Sequence, residues 1–235
     1  MALTTAFRTR RVTLSFDNGP VPGVTERVLE ILDRHQVKAT FFAIGHLLET
    51  PATQALIQQI HSAGHWLGNH TYSHAVAFGD RTDAAFAAQE IELAQQQLGA
   101  LAPAKLFRPF GNYGLLGPHI FSSASLNHLR DNGYTTVLWD HVPGDWRDPQ
   151  GWVESCLPQI GQYEWSVPVL HDIADASVHR LSDFITRLAD AGVEIVQDFP
   201  EHLIATRDGQ FLNVPEDLVR DAPPAGQRPW ATRNA

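Results

Sequence analysis

Asp17 and Asn18 close the apolar run "RVTLSF", and His70 and His74 stand four residues apart in "HTYSH". Two imidazoles and one oxygen ligand would make a three-ligand metal site with a position open for water, the general shape of a hydrolytic centre. Asp17, beside the oxygen ligand Asn18, could take a proton from that water, and His171 in "VLHD" could give one to a leaving group. Arg108 could hold Asp17 ionised, and Asp145 could keep His171 protonated and oriented. A backbone N–H from the loop after Arg108 could help bind the developing oxyanion. That set suits hydrolysis of an amide or an ester. Each residue taken singly has an ordinary use: Asp17-Asn18-Gly19 as a turn, Arg108 as a capping or surface residue, His171 as a hydrogen-bonded core histidine. Asp148, before Pro149, reads as a helix N-cap followed by proline at the first helical position. The argument rests on convergence.

Convergence needs a scaffold that brings distant segments to one face. Short apolar runs alternate with helix-periodic stretches along the chain: "RVTLSF", "KATFFAIG", "HWLGNHT", "KLFRPF", "YTTVLWD", "WSVPVLHD" and "VEIVQDF" read as seven strands. Between them lie helices such as "PATQALIQQIHSAG", opened by Pro51 and closed by Gly64, and "DAAFAAQEIELAQQQLGA". Repeated βα units imply parallel strands with right-handed crossovers, in an open doubly wound sheet or a barrel. Seven units without a G-x-G-x-x-G after the first strand favour an α/β, distorted (β/α) barrel of about seven parallel strands. Five of the strands would deliver Asp17-Asn18, His70 with His74, Arg108, Asp140 with Asp145-Trp146, and His171-Asp172 to their carboxyl ends, where barrel active sites gather.

The 235 residues, 43% of them hydrophobic, suit one domain with a sizeable core. A net charge of -9 without a basic block argues against a nucleic-acid partner. No apolar stretch reaches the roughly 20 residues that span a bilayer. The single Cys156 fits a reducing compartment, and "MALTTAFRTRR" does not read as a signal peptide, so the expected location is cytoplasmic. The expected division is a barrel over 1–206 and a tail over 207–235, docked or partly disordered. Phe211, Leu212, Val214, Leu218, Val219 and Trp230 would dock it on the barrel or on a neighbouring copy in a homo-oligomer.

The motifs resemble, in order, those of the NodB-homology polysaccharide deacetylases, carbohydrate esterase family four. "SFDNGP" resembles Thr-Phe-Asp-Asp-Gly-Pro, "HTYSH" the paired histidine ligands, and "FRPFGNYG" the Arg-Pro-Pro-Tyr-Gly loop. "GDW" and "VLHD" resemble the last two motifs. The resemblance runs from about Arg11 to Phe199. It implies a distorted barrel, a divalent metal (often zinc), and removal of an N- or O-acetyl group from a carbohydrate. It also implies Asp17 as base, His70 and His74 as ligands, Arg108 and Asp145 as supports, and His171 as acid. Leu170 and Trp146 would line the acetyl pocket, and Phe110 occupies the place of the usual Tyr. Two departures bear on this. Asn18 replaces the family's second aspartate, an uncharged and poorer partner for Zn²⁺, and the loop after Arg108 is one residue short before its Gly. The alternatives are a hydrolase of small cyclic amides and a carbohydrate-binding barrel with weakened catalysis.

Overall fold

The computed structural model describes residues 8–223. In chain order the strands and helices are β1 (Arg11–Thr13), β2 (Ser15–Asp17), α1 (Thr25–Arg34), β3 (Thr40–Ala43), α2 (Pro51–Ser62) and β4 (Trp66–Asn69). Next come α3 (Ala84–Leu98), β5 (Leu106–Phe107), α4 (Ser123–Asp131), β6 (Thr135–Val137), α5 (Trp152–Ile160), β7 (Trp165–Ser166) and β8 (Val169–His171). The chain continues with α6 (Leu181–Asp190), β9 (Glu194–Val196), β10 (Ile204–Arg207) and β11 (Gln210–Phe211). Two compact units share these elements: of the described residues, one comprises 8–42, 50–67 and 139–200, the other 43–49, 68–138 and 201–223.

In the first unit β1 lies between β7 and β9, and β2 lies between β3 and β8, every pairing parallel. The first and sixth expected strands therefore each divide into two, at Leu14 and at Val167-Pro168. Proline has no N–H for the ladder, which accounts for the second break. Helix α1 buries Val28, Ile31 and Leu32, spaced for one helical face. Helix α2 starts as expected, with Pro51 in its first turn and Thr50 Oγ1 accepting from the Thr53 N–H. Gly64 follows its end at φ 82°, a left-handed stop that glycine adopts without penalty. The expected N-cap Asp148 is corrected: α5 begins at Trp152 with Gly151 as its N-cap. The Asp148 carboxylate instead accepts from the Gly151 N–H at 2.9 Å, closing a turn before the helix. Phe16 stacks on Phe41 at 5.0 Å, and Trp152 packs on Phe184 at the same distance, in this unit's core.

In the second unit β4 pairs with β5 and β5 with β6, all parallel, and β10 then adds antiparallel to β6 and to β11. The antiparallel pair is absent from the sequence expectation. Its hairpin turn is Asp208-Gly209, both at positive φ, as a tight two-residue turn requires. Residues beyond it pack on this unit: Phe121 donates its N–H to Leu218 and its carbonyl accepts from Arg220, while Asp221 accepts from the Ser123 N–H. Pro224, Pro229 and Trp230 lie outside the described residues. Among the described residues no helix is long and apolar enough to cross a membrane. The α/β class with mostly parallel strands is as the sequence predicts.

Candidate active site

The first unit assembles the candidate acid–base residues. The parallel register of β2 and β8 sets Asp17 opposite His171, one at the last position of each strand. Both side chains are buried. Asp145 reaches the same place from the loop before α5 and accepts twice from one residue. Its Oδ1 accepts from His171 Nδ1 and its Oδ2 from the His171 N–H, each at 2.8 Å. A carboxylate can only accept, so Nδ1 carries a proton and Nε2 is the nitrogen left to exchange one. The Trp146 ring meets the imidazole edge-on at 4.5 Å. Burial by itself would lower the His171 pKa. The hydrogen bond and charge of Asp145, with the charges of Asp17 and Asp172, outweigh it and hold the imidazole above its usual value. Leu170 is fully buried, paired in register with Phe16.

Next to Asp17, Asn18 adopts φ 74°. Its Oδ1 is buried, with no hydrogen-bond partner among the described residues. Gly19 is required by its neighbour: a β-carbon there would lie 2.1 Å from Asp172 Oδ2. Asp172 is the residue that the functional reading of the sequence passed over. It is fully buried, accepts from Thr25 Oγ1 at 2.7 Å, and is pushed up to about 6 by burial, against the lowering effect of that hydrogen bond. Its place directly after the candidate acid in "VLHD" was the available signal.

The second unit brings the two histidines together. The His70 and His74 ring centroids are 4.8 Å apart. They belong to no helix; Thr71 and His74 take φ 67° and 53°, and this folds the loop back on itself. Asn69 accepts from the Thr71 N–H at 2.9 Å, and Glu90 accepts from the Ser73 N–H at 2.8 Å. These two supports were also not anticipated. His70 Nδ1 donates to the Arg108 carbonyl at 2.9 Å, the kind of bond that orients a metal-binding imidazole. The Arg108 side chain is fully buried, and the Phe110 ring lies 4.2 Å from that of His74. Among the described residues no group of three or more His, Cys, Asp or Glu is arranged to hold a metal. The donor types within this unit, a buried imidazole and a second imidazole beside it, are ones that a divalent cation accepts.

A carboxylate-clamped imidazole paired with a buried aspartate is equipment for hydrolysis by proton transfer. The sequence profile described as "Polysaccharide deacetylase" matches residues 5–137, more than half of the chain. A peptidoglycan-N-acetylglucosamine deacetylase of Bacillus cereus is 31% identical over 165 residues, 68% of this chain and 72% of that protein. A chitooligosaccharide deacetylase of Azorhizobium caulinodans is 33% identical over 169 residues, 68% of this chain and 73% of that protein. Among solved structures, a family 4 carbohydrate esterase from Streptomyces lividans in complex with acetate superposes with a TM-score of 0.67 at 25% identity. That match covers 84% of this chain and 97% of the other. The chain belongs to the polysaccharide deacetylase family, and it is a deacetylase-like hydrolase of carbon–nitrogen bonds other than peptide bonds.

Proposed function

We propose that this protein removes acetyl groups from a carbohydrate carrying N-acetylated amino sugars. The observation that carries this reading is the double hydrogen bond from His171 to Asp145 with Asp17 in register beside it. His171 donates a proton from Nε2 to the departing amine, and Asp145 keeps the ring oriented and the proton available. Asp17 takes a proton from the attacking water. Trp146 and Leu170 shape the space for the acetyl methyl. His70 and His74, with the carbonyl oxygen of Asn18, are the residues that would hold a divalent cation such as Zn²⁺. When bound, such a cation supplies a Lewis acid for the acetyl carbonyl and lowers the pKa of water. The cytoplasmic location belongs to this reading, and the single buried thiol of Cys156 is compatible with it.

A second reading, a carbohydrate-binding protein with weakened catalysis, is favoured by one feature, the neutral Asn18 where the family pattern has an acid. The two are separated by acetate release from an N-acetylglucosamine tetramer in the presence of Zn²⁺ or Co²⁺. Release that disappears in His171→Ala supports the hydrolase. Tetramer binding without any acetate release supports the binding protein.

A further inference from the structure

Between β7 and β8 the chain steps from one strand partner to another: β7 pairs with β1, and β8 pairs with β2. The step falls at Val167-Pro168, outside both strands, and Val167 is fully buried there. A buried backbone N–H needs a partner wherever the ladder does not supply one. The Val167 N–H donates to Asp140 Oδ2 at 2.8 Å, and Ser166 Oγ donates to Asp140 Oδ1 at 2.7 Å, so a single carboxylate holds both residues before the proline. Pro168 has no N–H, and its carbonyl accepts from Ser15 Oγ at 3.0 Å. The Val169 N–H donates to the His141 carbonyl at 2.9 Å. At the far end of β8, Asp145 takes its two bonds from His171. Segment 140–145 is thus fastened along 166–171 at both ends, by Asp140 at the entry to β8 and by Asp145 at its exit.

We propose that Asp140 is a positioning residue for the His171–Asp145 pair: by holding Ser166 and Val167 it fixes where β8 begins, and so where His171 meets Asp145. This rests on the deacetylase reading for the use made of His171. Only three residues separate Val167 from His171, and Pro168 fixes one of the few soft dihedrals between them. A shift at the step therefore reaches the imidazole. The two bonds to Asp145 need both of its oxygens in place, so they register such a shift. The charges acting on His171 are those of Asp145, Asp17 and Asp172, and Asp140 acts instead through its hydrogen bonds to the backbone and to Ser166. An amide can make the same bonds. Asn can accept from the Val167 N–H through its oxygen and donate to Ser166 Oγ, since a hydroxyl takes either role.

Amide hydrogen exchange followed by NMR on the full chain, together with kcat and KM for acetate release, tests the assignment. In Asp140→Ala, exchange should rise about tenfold or more at Val167 and at His171. The Val28 amide of α1, bonded to the Val24 carbonyl, should keep its rate. The same variant should lower kcat about ten- to hundredfold with KM nearly unchanged, the cost of a misplaced acid. Asp140→Asn should bring both readouts to within about threefold of the native chain. Ser166→Ala removes one of the two bonds and should raise exchange at His171 by about two- to threefold, a measure that serves where Asp140→Ala fails to fold. Exchange rising equally at Val28 and His171 would make Asp140 a support of the fold at large. A native rate at His171 in these variants would separate the step from the acid, and an Asn variant no better than Ala would make charge the agent. Each of these overturns the proposal. Because exchange does not depend on turnover, the expected pattern in a chain that releases no acetate ends the deacetylase reading and leaves the assignment of Asp140 standing.

Discussion

Asp17 and Asn18 are adjacent in sequence, and the proposed function gives them different duties, base and metal ligand, which substitution can separate. Asp17→Asn should lower acetate release by roughly 10²–10⁴-fold, the range for loss of a general base. It should leave metal content unchanged, and metal loss in that variant would reassign Asp17 as a ligand. Asn18→Asp adds a carboxylate where only neutral donors are available. Its attraction for a divalent cation competes with its own desolvation and with repulsion from Asp17. The ion is the larger local charge, so Zn²⁺ or Co²⁺ titration should show tighter binding; equal or weaker binding would show that residue 18 does not face the metal. The acid has a pH signature. As the proposed acid His171 must be protonated, and Asp145 holds its pKa above the usual imidazole value against the lowering effect of burial. Activity should therefore fall on the alkaline side, as pH rises through that raised value. In Asp145→Asn the burial effect loses its main opponent, and the falling limb of the kcat/KM profile should move to lower pH. An unmoved limb would assign it to another group.

Among the elements, legibility follows how local the determining physics is. Helices α1 to α4 and α6 were readable because their apolar spacing lies within the chain segment itself, and so were the starts of α2 and α3. Asp83 accepts from the Phe86 N–H at 2.8 Å, as an N-cap should. Ser122 before α4 forms a full capping box with Ser125 and is completely buried. Ser122→Ala should therefore cost about 1–2 kcal/mol in urea unfolding, because it strands a buried N–H. A cost near zero would show that the helix end finds another partner. Strand partners were not readable in this way. "RVTLSF" is one apolar run, yet Thr13 pairs with Val196 while Ser15 pairs with Val169, residues far away in sequence. Strand β10 was hidden for the same reason, since Ile204 and Thr206 become a strand only against β6, although Asp208-Gly209 advertised the hairpin. The site residues were legible because "HTYSH" and "VLHD" name their chemistry directly. Asn69, Glu90 and Asp172 were not, because they act on backbone or on neighbours that only the fold supplies.

For the molecule as a whole, Asp172 makes the link between site construction and global stability measurable. Folding takes this carboxyl from an ordinary value of 3.8 to about 6, chiefly by burying it, with Thr25 as its hydrogen-bond donor. The folded chain therefore holds a proton that the unfolded chain releases more readily. At low pH, with both states protonated, the group carries no penalty. As pH rises from the unfolded value through about 6, the folded state must either keep the proton or bury a charge, and this contribution to stability is lost. A shift of this size corresponds to roughly 3 kcal/mol, fully developed above the folded value. Asp172→Asn retains an oxygen acceptor for Thr25 and does not titrate. Unfolding free energies from urea titration should thus fall by about 3 kcal/mol more in the native chain than in Asp172→Asn between roughly pH 4 and 7. Parallel curves for the two proteins over that interval would show that Asp172 is ionised in the fold without cost, and that a further donor meets its Oδ1.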